Sequence, residues 1–189
     1  EYMLEYKEYP FYIKPVSREY RDNVPLLPLR IVLCNSCGFV YQEITFDLNE
    51  LSKIYEIAYE SYHSPVIGSV GGSLASDFLE FLENCTDPND KKVLEIGCFD
   101  GYFLSLLRDK HSCDVIGCDP SHGAKIAESI GVKVIQDYFS PRLFHETFDM
   151  IVLRGLLEHV LNPTGFLKDV ETVTSKNGII AIEVPNLEY

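Results

Sequence analysis

Basic residues are scarce in this sequence: 16 lysines and arginines stand against 29 aspartates and glutamates, a formal charge of −13 over 189 residues. A surface that negative repels phosphate backbones, which argues against a general nucleic-acid binder. The longest basic cluster is only Lys91-Lys92. No run approaches the roughly 18 consecutive apolar residues of a membrane span, and no charged-then-apolar secretory leader opens the chain. The expectation is a soluble, cytoplasmic chain with neither nucleic acid nor membrane as partner. Internal repeats and low-complexity tracts are missing too. What is present excludes disorder as the main state: 46% hydrophobic and 24% charged residues make a globular balance. The length is that of about one domain. The first residue is Glu1 rather than Met, so the sequence reads as a fragment.

Six cysteines are spread along the chain, Cys34, Cys37, Cys85, Cys98, Cys113 and Cys118. With no leader, and with three of them inside apolar runs, buried free thiols are expected rather than disulfides. Composition shifts near residues 60–75, which divides the chain into an arm (1–60), a linker (61–73) and a catalytic-type domain (74–189). The arm is rich in tyrosine and in proline, with Pro10, Pro15, Pro25 and Pro28 interrupting any long helix. Ile31-Val32-Leu33 and Phe39-Val40-Tyr41 read as short strands around the Cys34–Cys37 pair, a small hairpin or knuckle. Leu48 to Tyr59 has helical spacing, and Ser64 to Gly72 is a glycine-rich connection.

From residue 74 onward the pattern is regular. Helices are predicted over Leu74–Glu83, Tyr102–Asp109, Gly123–Ile130 and Gly165–Thr174, with another beginning near Leu156. Strands are predicted over Lys92–Ile96, Asp114–Cys118, Val132–Ile135, Phe148–Leu153 and Gly178–Val184. Strands that are apolar on both faces and alternate with helices belong to a parallel sheet covered on both sides. The fold class is therefore α/β, a doubly wound, mostly parallel sheet, with a small N-terminal Cys-pair arm.

Ligands of such sheets bind where the strand order reverses, at the carboxyl ends of the strands. The first strand ends in Glu95-Ile96-Gly97-Cys98-Phe99-Asp100-Gly101-Tyr102. This is G-x-x-x-G, not the G-x-G-x-x-G of dinucleotide sites, and an acid precedes the first glycine by two residues. A pyrophosphate is disfavoured beside that carboxylate and a cation is favoured, which excludes a nicotinamide-dependent oxidoreductase. Asp119 ends the second strand 22 residues after Gly97, near the offset at which an acid reaches a ribose diol. Asp137 and Tyr138 follow the third strand, an acid and an aromatic suited to a base. Three successive strand ends thus carry acids fit for an ammonium, a ribose and a base.

The ordered segments VLEIGCFDGYFL, VIGCDPS, VIQDYF and FDMIVLRGLLEHVLNP resemble the motifs of class I S-adenosylmethionine-dependent methyltransferases, over about residues 74–184. The resemblance implies a Rossmann-like methyltransferase fold with S-adenosylmethionine as cofactor. By it, Glu95, Gly97, Cys98, Asp100, Gly101 and Tyr102 shape the methionine pocket, Asp119 and Pro120 hold the ribose, Asp137 and Tyr138 meet the adenine, and Arg154 to Leu156 line the pocket. Taken singly, the two glycines also read as ordinary turn glycines and Asp119 as a helix cap.

Residues 28–42 resemble the second half of a zinc-binding module that precedes the catalytic domain in one methyltransferase group. Four ligands close a structural zinc site, and only Cys34 and Cys37 are present here. Either a first pair precedes Glu1 or the site is a remnant; nothing in the spacing recruits His63. That group includes C-methyltransferases of nucleotide-linked deoxysugars, whose linker Tyr59–Ser64 resembles; there Tyr62 would cover the cofactor. The implied acceptor is a small molecule, a nucleotide-linked sugar carbon. His159, next to Glu158, is the candidate acid or base, against a structural role at the start of a helix. The resemblance also implies two further strands after Tyr189, leaving the fifth as an exposed edge open to self-association. The competing reading is a non-catalytic binding module that keeps the cofactor fold.

Overall fold

The computed structural model describes residues 1–10, 18, 24–43 and 70–186. The chain divides into two compact units, Glu1–Tyr62 and His63–Tyr189. The expected helix over Leu48–Tyr59 lies outside the described residues.

In the first unit three strands, β1 (Tyr2–Pro10), β2 (Leu26–Leu33) and β3 (Val40–Glu43), form an antiparallel sheet in that order. The hairpin between β2 and β3 is the one expected around the cysteine pair; β1 was not expected. A proline in a central strand removes a ladder donor, and β2 carries Pro28. The ladder adapts with a bulge: Tyr6 pairs with Leu29 and Tyr9 with Leu27, so two residues of β1 face Pro28. Arg30 fastens the three strands, with Nε 2.9 Å from Glu5 Oε1 and Nη1 3.1 Å from Glu43 Oε2. These pairs are largely exposed and contribute little each.

The second unit opens with α1 (Val70–Cys85), followed by β4 (Lys92–Ile96), α2 (Tyr102–His111), β5 (Asp114–Cys118), α3 (Ala124–Ser129), β6 (Lys133–Ile135), β7 (Phe148–Arg154), α4 (Pro163–Thr172) and β8 (Thr174–Glu183). The strand order is β6-β5-β4-β7-β8, every pair parallel. Chain order runs outward in one direction from β4 and in the other from β7, so the reversal falls between these two. Pleating sends alternate residues to opposite faces. Val93, Met150 and Val152 pack with Phe78, Leu82, Phe103 and Leu107 of α1 and α2. Leu94, Ile151 and Leu153 pack on the other face with Val170 of α4 and the partly buried Phe139, Phe144 and Phe166. Each fully buried side chain of this size contributes about 1.5–3 kcal/mol. Among the described residues no helix is long and apolar enough to cross a membrane.

Four expectations fail locally. The helix foreseen from Leu156 is a single 3-10 turn, Leu157–His159. Pro163 disfavours helical backbone at the residue before it, and Asn162 instead caps a new helix, its Oδ1 accepting from the Gly165 amide at 3.0 Å. Helix α4 consequently starts two residues earlier than predicted. Helix α1 also begins earlier, at Val70, extending a turn into the glycines because Ala75, Phe78, Leu79 and Leu82 anchor the body of the helix. Strand β8 starts at Thr174 through a bulge opposite Phe148 and Met150.

Candidate functional site

The carboxyl ends of β4 and β7 meet where the strand order reverses. Gly97 continues the ladder for one bond, its amide donating to Cys118 O at 2.8 Å, then turns at φ +78°. A Cβ there would lie 3.2 Å from Leu156 Cδ1. Leu156, two residues past β7, thus rests directly on the turn after β4, bringing the first and fourth predicted strand ends together. Gly101, at φ +69°, would place a Cβ 2.9 Å from Ala127 Cβ and 3.0 Å from Val132 Cγ1. Its bareness lets the start of α2 approach α3 and Val132, a packing role. Between the glycines Phe99 adopts φ +45°, strained for a non-glycine residue by about 1–2 kcal/mol.

That loop is pinned by Asp119. One carboxylate oxygen accepts the Phe99 amide at 2.9 Å and the other the Ser121 amide at 2.8 Å. Asp119 is buried, but each oxygen keeps a second lone pair for another donor. Pro120 beside it is exposed. Asp100 is buried; its Oδ1 accepts from the Tyr102 amide at 3.0 Å, while Tyr102 itself packs on the α1–α2 core.

Glu95 lies beneath this loop. Only 2% of it is exposed, and burial first, then the carboxylates of Asp100, Asp119 and Glu183, push its carboxyl up to about 8, against the pull of Arg154. Arg154 Nη1 stands 3.9 Å from Glu95 Oε1, while its Nε donates to Glu183 Oε2 at 3.0 Å. The guanidinium is stacked 4.7 Å from the Phe103 ring centre and 5.3 Å from that of Phe78, which fixes its position. Arg154 is thus paired with Glu183 and faces Glu95 from 3.9 Å. Sequence reading missed Glu183; the signal was an acid closing the last apolar run. Among the described residues, Glu95 Oε2 and Asp100 Oδ2 are the buried side-chain oxygens without a hydrogen-bond partner.

Cys98 turns inward. Its Sγ fills the notch left by Gly117, where a Cβ would sit 2.2 Å away, and burial pushes its thiol far up. Cys118 is also buried, its thiol pushed up to about 12 by burial and by Asp119 and Asp137. All six cysteines are free, with Cys98, Cys113 and Cys118 buried. Asp137 and Tyr138 are exposed past β6, Asp137 Oδ1 accepting from the Tyr138 amide at 2.7 Å, and the Tyr138 ring is 67% exposed, open to stacking. Glu158 and His159 are exposed on the 3-10 turn. Tyr62 lies outside the described residues.

Cys34 and Cys37 sit in the hairpin turn of the first unit, where the Cys34 amide donates to Phe39 O at 2.8 Å. Backbone amides of Ser36 and Cys37 hold the Cys34 thiol below its usual range. Among the described residues no group of three or more histidines, cysteines or acids is placed to hold a metal.

The site gathers acceptor carboxylates, two of whose buried oxygens have no hydrogen-bond partner among the described residues. An α-ammonium and a ribose diol fit it. Residues 70–189 match a family model described as a methyltransferase domain. Curated relatives include the tRNA U34 carboxymethyltransferase of Campylobacter hominis, 30% identical over 122 residues, which are 56% of this chain and 41% of that protein. The tRNA U34 carboxymethyltransferase of Aliarcobacter butzleri is 30% identical over 108 residues, 50% of this chain and 34% of that protein. The chain thus spans less than half the length of these relatives. Among solved structures, coclaurine N-methyltransferase bound to N-methylheliamine and SAH superposes with a TM-score of 0.51 at 21% identity, over 66% of this chain and 38% of that one. Likeness at that level speaks to the fold.

Proposed function

This chain belongs to the methyltransferase-domain family, and from that premise we propose that it transfers the methyl group of S-adenosylmethionine to a small-molecule acceptor, a carbon of a nucleotide-linked sugar. The observation that carries the cofactor half is the row of carboxylates at three successive strand ends, Glu95, Asp119 and Asp137, with one buried oxygen each of Glu95 and Asp100 lacking a hydrogen-bond partner among the described residues. Glu95 and Arg154 would hold the ammonium and carboxylate of the amino-acid end, with Asp100 beside them. Asp119 would accept from the ribose hydroxyls, and Asp137 with Tyr138 would read and stack on the adenine. Gly97 would give the turn its left-handed backbone, with Leu156 packed where a Cβ would stand.

Bound there, the cofactor supplies an electrophilic methyl on a sulfonium. The chain's contribution is orientation, since in-line displacement depends chiefly on proximity. A carbon acceptor must also lose a proton, and His159, exposed on its turn, is the candidate for taking it. Residues 1–60, 61–73 and 74–189 would act as arm, linker and catalytic domain.

The small-molecule acceptor is favoured by the charge of −13, which opposes a polyanion. The curated relatives bear the name of a tRNA-modifying activity, so tRNA belongs among the acceptors tried. Cys34 and Cys37 would give two of the four ligands of a structural zinc, a point that metal analysis of the purified chain decides.

The test is calorimetric titration with S-adenosylhomocysteine. Asp137→Ala, at an exposed position, should weaken saturable binding by roughly 1.5–3 kcal/mol if the contact is charge-assisted. Asp119→Ala should cost more, because it also frees the Phe99 and Ser121 amides. A folded chain that binds no S-adenosylhomocysteine would leave the non-catalytic module as the reading. Labelled methyl groups appearing on tRNA and not on sugar nucleotides would replace the acceptor.

A further inference from the structure

Glu95 is poorly provided for as an ion. Its nearest cation, Arg154 Nη1 on β7, is 3.9 Å away, beyond hydrogen-bond distance, and that guanidinium gives its short contact to Glu183 of β8 instead. Oε2 has no partner among the described residues. The other groups that face Glu95 are Asp100 on the loop after β4, Asp119 at the end of β5 and the Cys98 thiol. One guanidinium thus stands against four carboxylates, three of them with under a tenth of their surface exposed. An ionised carboxylate without donors is costly in such a place.

We propose that seating the cationic ammonium of the cofactor against Glu95 expels a proton from the chain, so that binding and proton release are one event. The inference rests on the cofactor reading above. Before binding, burial and the neighbouring acids hold the Glu95 carboxyl up to about 8, and the neutral acid predominates at pH 7. The ammonium brings a positive charge to the acid cluster, which favours the carboxylate. The proton leaves the carboxyl oxygen for the buffer; no covalent bond to the ligand forms, and the ligand keeps its charge. Below pH 8 the site therefore takes up its ligand in competition with protons.

The measurement is calorimetric titration of the full chain with S-adenosylhomocysteine in buffers of different ionisation enthalpy. At pH 7 the release should approach one proton per chain, and affinity should climb by up to about tenfold per pH unit below pH 8 and level off above it. 5′-Methylthioadenosine, which lacks the amino-acid end, should bind with no release and a flat pH profile, and Glu95→Gln should abolish the release with S-adenosylhomocysteine. Saturable binding whose heat is independent of buffer overturns the proposal and leaves the cofactor reading intact. Equal release with methylthioadenosine assigns the proton to another group and overturns it as well. A folded chain that binds neither ligand removes both readings.

Discussion

Glu95 works against the fold that contains it. Burial and the neighbouring acids push its carboxyl up to about 8 from an ordinary 4.5, so between these values the folded state holds a proton that the unfolded state has lost. The contribution to stability is complete below the unfolded value and declines as pH rises from 4.5 towards 8, by at most about 1.4 kcal/mol per unit, then stays level. Glu95→Gln should remove this slope: the ligand-free variant should melt above the parent at pH 8 and close to it at pH 5, as thermal unfolding at both values will read. The placement of Glu95, Gly97 and Asp119 at strand ends was legible in the sequence, because turn chemistry and strand ends are local. The roles of Arg154 and Glu183 were not. Both depend on β7 lying between β4 and β8, and on Phe78 and Phe103 arriving from helices far along the chain.

Among elements, α4 shows how a short stretch sets a boundary. Asn162 accepts the Gly165 amide and Pro163 supplies the first helical residue, so the cap and the proline together end the preceding segment. Asn162→Ala should destabilise the chain by about 1 kcal/mol, seen as a lower urea midpoint with an unchanged slope. The five parallel strands were readable because both faces are buried and the apolar runs are continuous. Strand β1 was not, since every one of its residues is exposed and no alternation marks an inner face. The helix foreseen from Leu156 failed for a related reason. Its apolar spacing continues, but Pro163 disfavours helical backbone at Asn162, which caps a new helix instead.

For the whole molecule the governing quantity is charge. At −13 the folded chain repels itself, and compactness brings the acids nearer than they are when unfolded. Raising sodium chloride from 10 mM to 150 mM shortens the screening length from about 30 to 8 Å, so the melting temperature should rise. A fall would mean that exposed pairs such as Arg30 with Glu5 and Glu43 outweigh the net repulsion. At this scale family membership was legible from four motifs in order. The acceptor was not, because those motifs describe the cofactor's side of the sheet and carry no information about the second substrate.

Asp119 spends one carboxylate on two loops, an oxygen for the amide of Phe99 and an oxygen for that of Ser121. Neither loop can therefore fray by itself: releasing one amide leaves a buried charge half-paired, and the second bond is then easier to lose. Dynamically the two turns form a single latch that opens once. Native-state hydrogen exchange should assign these two amides, far apart in sequence, the same opening free energy, with Asp119→Asn lowering both together. Different values for the two would mean that the loops open separately.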